Sequence, residues 1–143
     1  MSIKNLCAVA VALALSPQLH AELLISEYVE GSSNNKAVEL VNLGSQTVDL
    51  SQYKLQMFFN GNTTAATTIN LTGNLAPGAV YVIANSNSVA ALKDKAQLLN
   101  SSSWYNGDDA LVLSKADQVI DSFGQVGFDP GSAWNLSLIH ISE

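Results

Sequence analysis

Carboxylates are the side chains of this chain that could do chemistry, and two stretches bring several of them close together in sequence. The stretch SEYVEGSSNNKAVELVN, residues 26–42, places three glutamates around a run of small polar residues: Glu27, Glu30 and Glu39. The stretch YNGDD ends in the pair Asp108 and Asp109. Two carboxylates can act as acid and base across a cleft, or they can hold a divalent metal. Each stretch is therefore either a reactive site or a structural turn.

Residue types that most other catalytic sites need are missing from the middle of the chain. Both histidines, His20 and His140, and the single cysteine, Cys7, lie near the ends. Without histidine there is no side chain suited to general-base work at neutral pH, and without cysteine there is no thiolate nucleophile. A serine nucleophile would need a lysine base, and no S-x-x-K spacing on a helix provides one. Zinc, copper and haem sites also want histidine or cysteine, so we expect no enzyme activity from this segment.

Calcium is the metal that the remaining oxygen ligands suit, and Glu30, Asp108 and Asp109 are candidate ligands if their loops converge. The sequence has no D-x-[DN]-x-[DN]-G loop that would gather such ligands. The alternative for NGDD is a turn, in which Asn106-Gly107 supplies positive φ and an aspartate accepts backbone N–H groups. We favour the turn and expect neither a metal nor another cofactor in this segment.

The balance of charge argues against a nucleic-acid interface. The chain has a net charge of -6 at pH 7, contains no arginine, and has scattered lysines. Affinity for DNA depends on neutralising phosphates with lysine and arginine. We therefore expect no direct nucleic-acid binding by this domain.

Aromatic residues offer a second kind of contact. Trp104 and Tyr105 come directly before the NGDD turn, where they could stack on a sugar or a peptide. The alternative is that they are partly buried core residues, which is common for large aromatics. We treat both as possible ligand contacts.

Neither end of the chain is expected to belong to the folded domain. Residues 1–21 combine Lys4, an apolar run and a small-residue cleavage site, which is the layout of a secretory signal peptide, with a buried helix as the alternative. The segment LSLIHISE, residues 136–143, resembles the translation of a sequencing adapter, with an amphipathic strand as the alternative. We expect an exported chain whose domain, residues 22–135, is truncated. No other stretch is apolar enough to be a transmembrane segment.

Short apolar runs separated by turn residues predict the elements that position these side chains. Seven segments have the composition and alternation of strands: ELLISEYV, KAVELVNL, YKLQMFFN, TTINLTG, AVYVIAN, ALVLSKA and QVIDSFG. The clearest alternation places Tyr53, Leu55, Met57 and Phe59 on one face. Strands of this number and spacing predict an all-β fold, an immunoglobulin-like antiparallel β-sandwich.

One segment departs from the strand pattern. SNSVAALKDKAQLLN has apolar residues at helical spacing, and Ser88 is a plausible N-cap. The apolar positions are Val89, Leu92, Ala96 and Leu99. We therefore expect one short helix inserted between strands.

The first carboxylate stretch fits this architecture as a hairpin. Glu27 and Glu39 lie in apolar strands, where a buried carboxylate is costly unless it is hydrogen-bonded, so we expect them to bond backbone groups of neighbouring loops. EGSSNNK is then the turn, in which Gly31, Asn34 and Asn35 would tolerate positive φ. Glu27, Glu39, Gly31 and Gly107 are assigned structural roles. A ligand contact at the loop tip is the alternative.

Residues 23–135 as a whole resemble a known family. The segments LLISEYVEGSSNNKAVELVNLGSQTVDLSQYKL, LAPGAVYVIAN and NGDDALVLSKADQVIDSFGQVGFDPGSAW look like the lamin tail domain in its bacterial form. The chain is similar above all to the copy at the front of secreted bacterial nucleases. It departs from the family pattern after Trp134, where a further strand would follow.

The resemblance implies an immunoglobulin-like sandwich that is a non-catalytic module. It also implies a downstream nuclease domain of the same polypeptide, of the metal-dependent endonuclease/exonuclease/phosphatase type, whose divalent metal ligands have no matching positions here. We expect the module to position or tether that nuclease outside a bacterium, at the cell surface or in extracellular-matrix material. The alternatives are a free-standing extracellular adhesin or carbohydrate-binding module, and a phosphodiesterase within this segment that uses a carboxylate-bound metal.

Overall fold

The computed structural model describes residues 22–134, and these residues form the predicted immunoglobulin-like β-sandwich. All seven predicted strands are present, and three short strands that the sequence did not predict join them. The predicted signal peptide, residues 1–21, and the adapter-like segment, residues 136–143, lie outside the described residues. The strands are, in chain order, β1 (Leu23–Glu30), β2 (Lys36–Asn42), β3 (Val48–Asp49), β4 (Tyr53–Phe58), β5 (Thr67–Asn70), β6 (Asn74–Leu75), β7 (Val80–Asn85), β8 (Leu98–Asn100), β9 (Ala110–Lys115) and β10 (Gln118–Phe123).

The first sheet has the strand order β1-β2-β7-β8. β1 and β2 form the predicted hairpin, and β2 pairs antiparallel with β7. β7 and β8 run parallel. This parallel pair involves the short unpredicted strand β8, and it arises because the chain crosses over between β7 and β8 instead of turning back directly.

The second sheet has the order β10-β9-β4-β5, and all of its neighbours are antiparallel. β3 and β6 form a separate two-stranded sheet. A 3₁₀ helix, Leu50–Gln52, leads from β3 into β4, and its N-cap Asp49 accepts a hydrogen bond from Ser51 N at 3.0 Å. The Ser51 hydroxyl donates to the same carboxylate at 2.7 Å, and this bond, together with the backbone one, lowers the pKa of Asp49.

The core lies between the two sheets. Along β4, Tyr53, Leu55 and Met57 are buried and alternate with half-buried residues, as predicted. Phe59, just beyond the strand, packs against the same core. Each fully buried aliphatic side chain stabilises the fold by about 1.5–3 kcal/mol relative to an exposed one. Burial of the apolar side chains that alternate along the strands therefore stabilises this sandwich without a disulfide.

The helix is much shorter than predicted. α1 spans Ala90–Lys93, its N-cap is Val89, and no side chain caps it. The predicted cap, Ser88, is buried, and its hydroxyl has no hydrogen-bond partner within the described residues. Leu99, predicted on the helix face, instead belongs to β8 and pairs with Ala84. The backbone of residues 98–100 finds ladder partners on β7, and these outweigh the weak helical pattern.

Candidate functional site

The two carboxylate stretches meet at one end of the sandwich. Glu30 ends β1, and Asp109 directly precedes β9. The Tyr28 hydroxyl contacts the Asn106 carbonyl oxygen at 3.2 Å. A Cβ atom at Gly107 would lie 3.0 Å from Glu30 Oε2. The candidate calcium ligands of the two stretches therefore lie on neighbouring loops.

Both oxygens of Glu30 already have partners. Oε1 accepts a hydrogen bond from Lys36 Nζ at 2.7 Å, and Oε2 accepts one from the Tyr28 hydroxyl at 2.9 Å. Lys36 is only 8% exposed, and its Nζ lies 5.8 Å from the centroid of the Tyr105 ring. Glu30 itself is exposed, but the Lys36 ammonium is largely buried, and loss of Glu30 would leave that charge without its partner. Glu30 therefore serves to close the hairpin against the aromatic residues beneath it.

Asp109 organises the NGDD turn. It is 3% exposed, and it accepts hydrogen bonds from Asn60 N and Asn106 N, each at 2.8 Å. With its amide nitrogen turned toward the carboxylates, Asn106 also donates to Asp109 Oδ2 at 2.7 Å and to Asp108. The prediction that an aspartate of this turn bonds backbone N–H groups is confirmed. Within residues 22–134, no three His, Cys, Asp or Glu side chains are grouped to hold a metal ion.

The glycines of both turns act differently from the prediction. Positive φ occurs at none of the positions suggested for it, Gly31, Asn34, Asn35, Asn106 and Gly107; in the hairpin turn Ser33 adopts it instead, at 56°. A Cβ atom at Gly31 would lie 2.8 Å from Asn35 Cβ and 2.9 Å from Asn35 O. Gly31 and Gly107 are therefore structural because neighbouring groups approach their backbone closely, and not because their own backbone is left-handed.

Tyr105 is a core residue, so its assignment as a ligand contact is wrong. It is 1% exposed, and its ring stacks on Tyr28 with the centroids 4.4 Å apart. Tyr28 stacks in turn on Phe123, with centroids 4.2 Å apart. The Tyr105 hydroxyl donates to Ala37 O at 2.7 Å and also contacts Val29 O at 2.9 Å. The ring thus ties the NGDD turn to both strands of the hairpin.

Both tyrosines act as neutral hydrogen-bond donors. Burial raises the pKa of Tyr105 well above its ordinary value. Burial also raises the pKa of Tyr28, and the hydrogen bond to the Glu30 carboxylate adds to the effect. Loss of either proton would place a phenolate beside a carboxylate, so these hydroxyls are suited to structure and not to base catalysis.

The two tryptophans lie at the edge of the same cluster. Trp104 is half-buried and packs against the core, and its Nε1 has no hydrogen-bond partner within the described residues. Trp134 Nε1 donates to Asp109 O at 2.8 Å. Its ring covers Gly124, where a Cβ atom would lie 2.6 Å from Trp134 Cε2. Trp134 therefore fastens the last described residues across the NGDD turn.

Glu27 and Glu39 lie elsewhere, on the outer surface of the hairpin. They are opposite each other in the β1–β2 pairing, Glu27 exposed and Glu39 half-buried. Among the recorded hydrogen bonds of the described residues, Glu39 Oε1 accepts from Ser26 Oγ at 2.8 Å, and neither carboxylate bonds a loop backbone. The predicted backbone-bonding role is therefore wrong. Since both side chains reach water, the burial cost that motivated the prediction does not arise.

Asn42 and Asp121 make the side-chain to backbone hydrogen bonds that the sequence assigned to the glutamates. Asn42 is 0% exposed; its Nδ2 donates to Gln46 O at 2.8 Å and to Leu75 O at 2.9 Å. Asp121 Oδ2 accepts a hydrogen bond from Ile25 N at 2.8 Å. A polar residue at a core-facing position of KAVELVN was the available signal for Asn42, because buried polar groups are almost always hydrogen-bonded. Asp121 had no comparable signal.

Comparison with known proteins finds one family. The family model described as Lamin Tail Domain matches residues 16–127, which begin within the predicted signal peptide. No curated protein is significantly similar to the chain in sequence. Among residues 22–134 there is no helix with the length and apolar character needed to cross a membrane.

Proposed function

The chain belongs to the lamin tail domain family, and from that premise we propose that it is the N-terminal module of an exported bacterial nuclease. The family assignment makes it a non-catalytic immunoglobulin-like domain. On this proposal the chemistry belongs to a downstream metal-dependent nuclease domain of the same polypeptide, which also holds the divalent metal. The module positions that domain, or tethers it to cell-surface or extracellular-matrix components.

One observation supports a positioning role above all. At the end of the sandwich where Glu30 and Asp109 lie, both carboxylates accept hydrogen bonds that hold neighbouring segments together. Glu30 bonds Lys36 and Tyr28, and Asp109 bonds the backbone of Asn60 and Asn106. Preorganised hydrogen bonds of this kind fix the relative positions of loops, which a rigid spacer or docking module requires.

The competing function within this segment is phosphodiester cleavage by carboxylate-bound metal. Asp109 is 3% exposed, and its two oxygens accept backbone hydrogen bonds. A metal would have to displace those bonds before Asp109 could act as a ligand. The engagement of this carboxylate therefore argues for the module and against the phosphodiesterase.

Two measurements test the proposal. The purified chain is incubated with supercoiled plasmid DNA and magnesium, manganese or calcium, and we expect no cleavage above a heat-treated control. Metal-dependent cleavage that disappears in Asp108→Ala/Asp109→Ala would overturn the proposal. Long-read sequencing of the gene past the codon for Asn135 is expected to find a nuclease domain; a stop codon there instead would favour the free-standing adhesin or carbohydrate-binding module.

A further inference from the structure

The outer face of the first sheet carries side chains in rows that run across β1, β2 and β7. Pairing of the strands defines three rows: Val29–Ala37–Ala84, Glu27–Glu39–Val82 and Leu24–Val41–Val80. The intervening residues of the same strands point into the core; Leu40 and Ile83, for example, are 0% exposed. Since successive side chains of a strand point to opposite sides, the three rows face away from the core.

The first of these rows is largely shielded from solvent, and α1 lies beside it. Ala37 is 3% exposed and Ala84 is 0% exposed, although both belong to the outer face. α1 contacts β7, and the Asn35 side chain, just before β2, accepts a hydrogen bond from Val89 N at 2.9 Å. This bond holds the start of α1 over the end of the sheet where the alanines lie. We refer to the other two rows, Glu27–Glu39–Val82 and Leu24–Val41–Val80, as the open rows.

The open rows are more apolar than an outer sheet face usually is. An antiparallel sheet with one face on the core normally turns polar side chains to water on the other face. Here Val80 is 44% exposed, and Leu43, one residue beyond β2, is 65% exposed. Leu24 and Val41, both half-buried, lie beside Val80 in the same row. Contiguous apolar side chains that remain partly exposed beside polar neighbours are typical of a protein interaction site.

The open rows also bring two like charges face to face. Glu27 is directly opposite Glu39, an arrangement that destabilises a strand pair. The ion pairs recorded among the described residues use other carboxylates, those of Glu30 and Asp117. The hydrogen bond from Ser26 Oγ holds Glu39 Oε1 in place at 2.8 Å. The fold thus keeps an uncompensated acidic pair next to exposed aliphatic side chains.

We propose that the open rows dock a polypeptide segment that presents an arginine or lysine flanked by aliphatic side chains. The cation would lie between Glu27 and Glu39, and the aliphatic side chains would cover Leu24, Val41 and Val80. Charge complementarity selects this partner, because the chain has a net charge of -6 and no arginine of its own. The same charge repels nucleic acids and anionic lipid surfaces. A protein segment is therefore the partner that fits both the acidic pair and the aliphatic side chains beside it.

The spacing of the rows defines the partner further. Neighbouring rows lie two residues apart along a strand, which is about 7 Å. An extended segment repeats the same distance between residues i and i+2, so an aliphatic residue followed two positions later by a cation matches both rows. Directly opposed side chains have Cβ atoms about 5 Å apart, within reach of one guanidinium that donates to both carboxylates. We therefore expect arginine to bind more tightly than lysine.

Panning a random linear peptide library against the full chain tests this proposal. Bound peptides are counter-selected on Glu27→Gln/Glu39→Gln, and the enriched peptides are titrated by calorimetry. We expect them to carry arginine two positions from an aliphatic residue, and to bind the double variant at least about tenfold more weakly. Val80→Ser should weaken binding as well. The control Asp117→Asn/Asp129→Asn removes the same charge at positions outside the open rows and should leave affinity unchanged.

Several results would overturn the proposal. The enriched peptides could lack a basic residue, or they could bind wild type and Glu27→Gln/Glu39→Gln with equal affinity. Failure to enrich any peptide that distinguishes the two proteins would also overturn it. Stabilisation by calcium that the double variant loses, without any enriched peptide, would make the pair a cation site instead. Since Glu27 is exposed, Glu27→Gln alone serves as a second variant, with folding verified by circular dichroism. None of these outcomes depends on whether a nuclease domain follows in the gene.

Discussion

The carboxylate of Asp121 on β10 accepts a hydrogen bond from the backbone of Ile25 on β1, with Oδ2 and N 2.8 Å apart. These strands are edge strands of different sheets. The pairing register of each shifts at this point, between Ile25 and Glu27 and between Val119 and Asp121. A bulge interrupts the ladder and leaves a backbone group unpaired. Asp121 supplies the missing acceptor and joins the two sheets along one side of the sandwich.

Replacing Asp121 with alanine should therefore destabilise the sandwich. The Ile25 N–H would lose a charged acceptor, and an unsatisfied, partly buried donor costs about 1–3 kcal/mol. Urea denaturation should show a lower midpoint with an unchanged slope. Asp121→Asn retains an acceptor oxygen and should recover part of the loss. If both variants unfold at the wild-type midpoint, the bond contributes nothing to the joining of the sheets.

Asp109→Ala should be more damaging than Asp108→Ala. Asp109 is 3% exposed and accepts hydrogen bonds from the backbone of two separate loops, whereas Asp108 is half-buried and bonds a neighbouring side chain. Hydrogen bonds to a buried charged group support a loss of about 2–3 kcal/mol for Asp109→Ala. Equilibrium denaturation of the two variants provides the comparison. Equal losses would contradict the assignment of Asp109 as the organising residue.

The two stacked tyrosines should make the protein sensitive to alkali. Their folded-state pKa values are raised above the ordinary tyrosine value, so the folded state retains protons that the unfolded state releases above about pH 10. Stability should be fully present below that pH and decline as the pH rises beyond it. Denaturant midpoints at increasing pH measure the decline. In Tyr28→Phe and Tyr105→Phe the slope should be shallower, and an unchanged slope would contradict this explanation.

A substitution in the turn between β9 and β10 should increase the stability of the domain. Its two central residues, Ala116 and Asp117, have φ angles of 46° and 66°, and a left-handed backbone is unfavourable for alanine. Ala116→Gly should therefore stabilise the domain by about 0.5–1 kcal/mol. The matched control is Ala76→Gly, at an exposed loop position whose φ is not positive. This substitution should be neutral or destabilising. Thermal unfolding of both variants decides; equal shifts would show that the gain does not come from φ.

The acidic pair of the open rows should limit stability. Glu27 and Glu39 are directly opposed, and relief of a like-charge pair supports a gain of about 0.2–1 kcal/mol. Glu27→Gln should therefore raise the unfolding midpoint, and added salt should reduce the difference from wild type. A double-mutant cycle with Glu39→Gln isolates the pair from single-site effects. A coupling energy of zero would mean that the two charges do not interact.

The sequence by itself determined the strands. Alternation in YKLQMFFN and the neighbouring runs predicts which residues turn inward, because the side-chain period of a strand is a local property of the backbone. The seven strands, the hairpin of residues 23–42 and the resemblance to the lamin tail domain followed from such patterns together with segment order. The backbone-bonding aspartate of NGDD was also foreseeable, since the turn chemistry of Asn, Gly and Asp is local.

Tertiary structure alone decided which polar and aromatic side chains are engaged and with what. Asp121 bonds Ile25 across 96 positions of sequence, and Tyr105 reaches Ala37 O across 68 positions. Glu39 lies in the apolar strand β2, yet its side chain points outward. Leu99 belongs to β8 and does not extend α1. Burial and hydrogen-bond partners depend on which distant strands meet, so their energies are absent from any local pattern. For the same reason, the open rows arise only from the register in which β1, β2 and β7 pair.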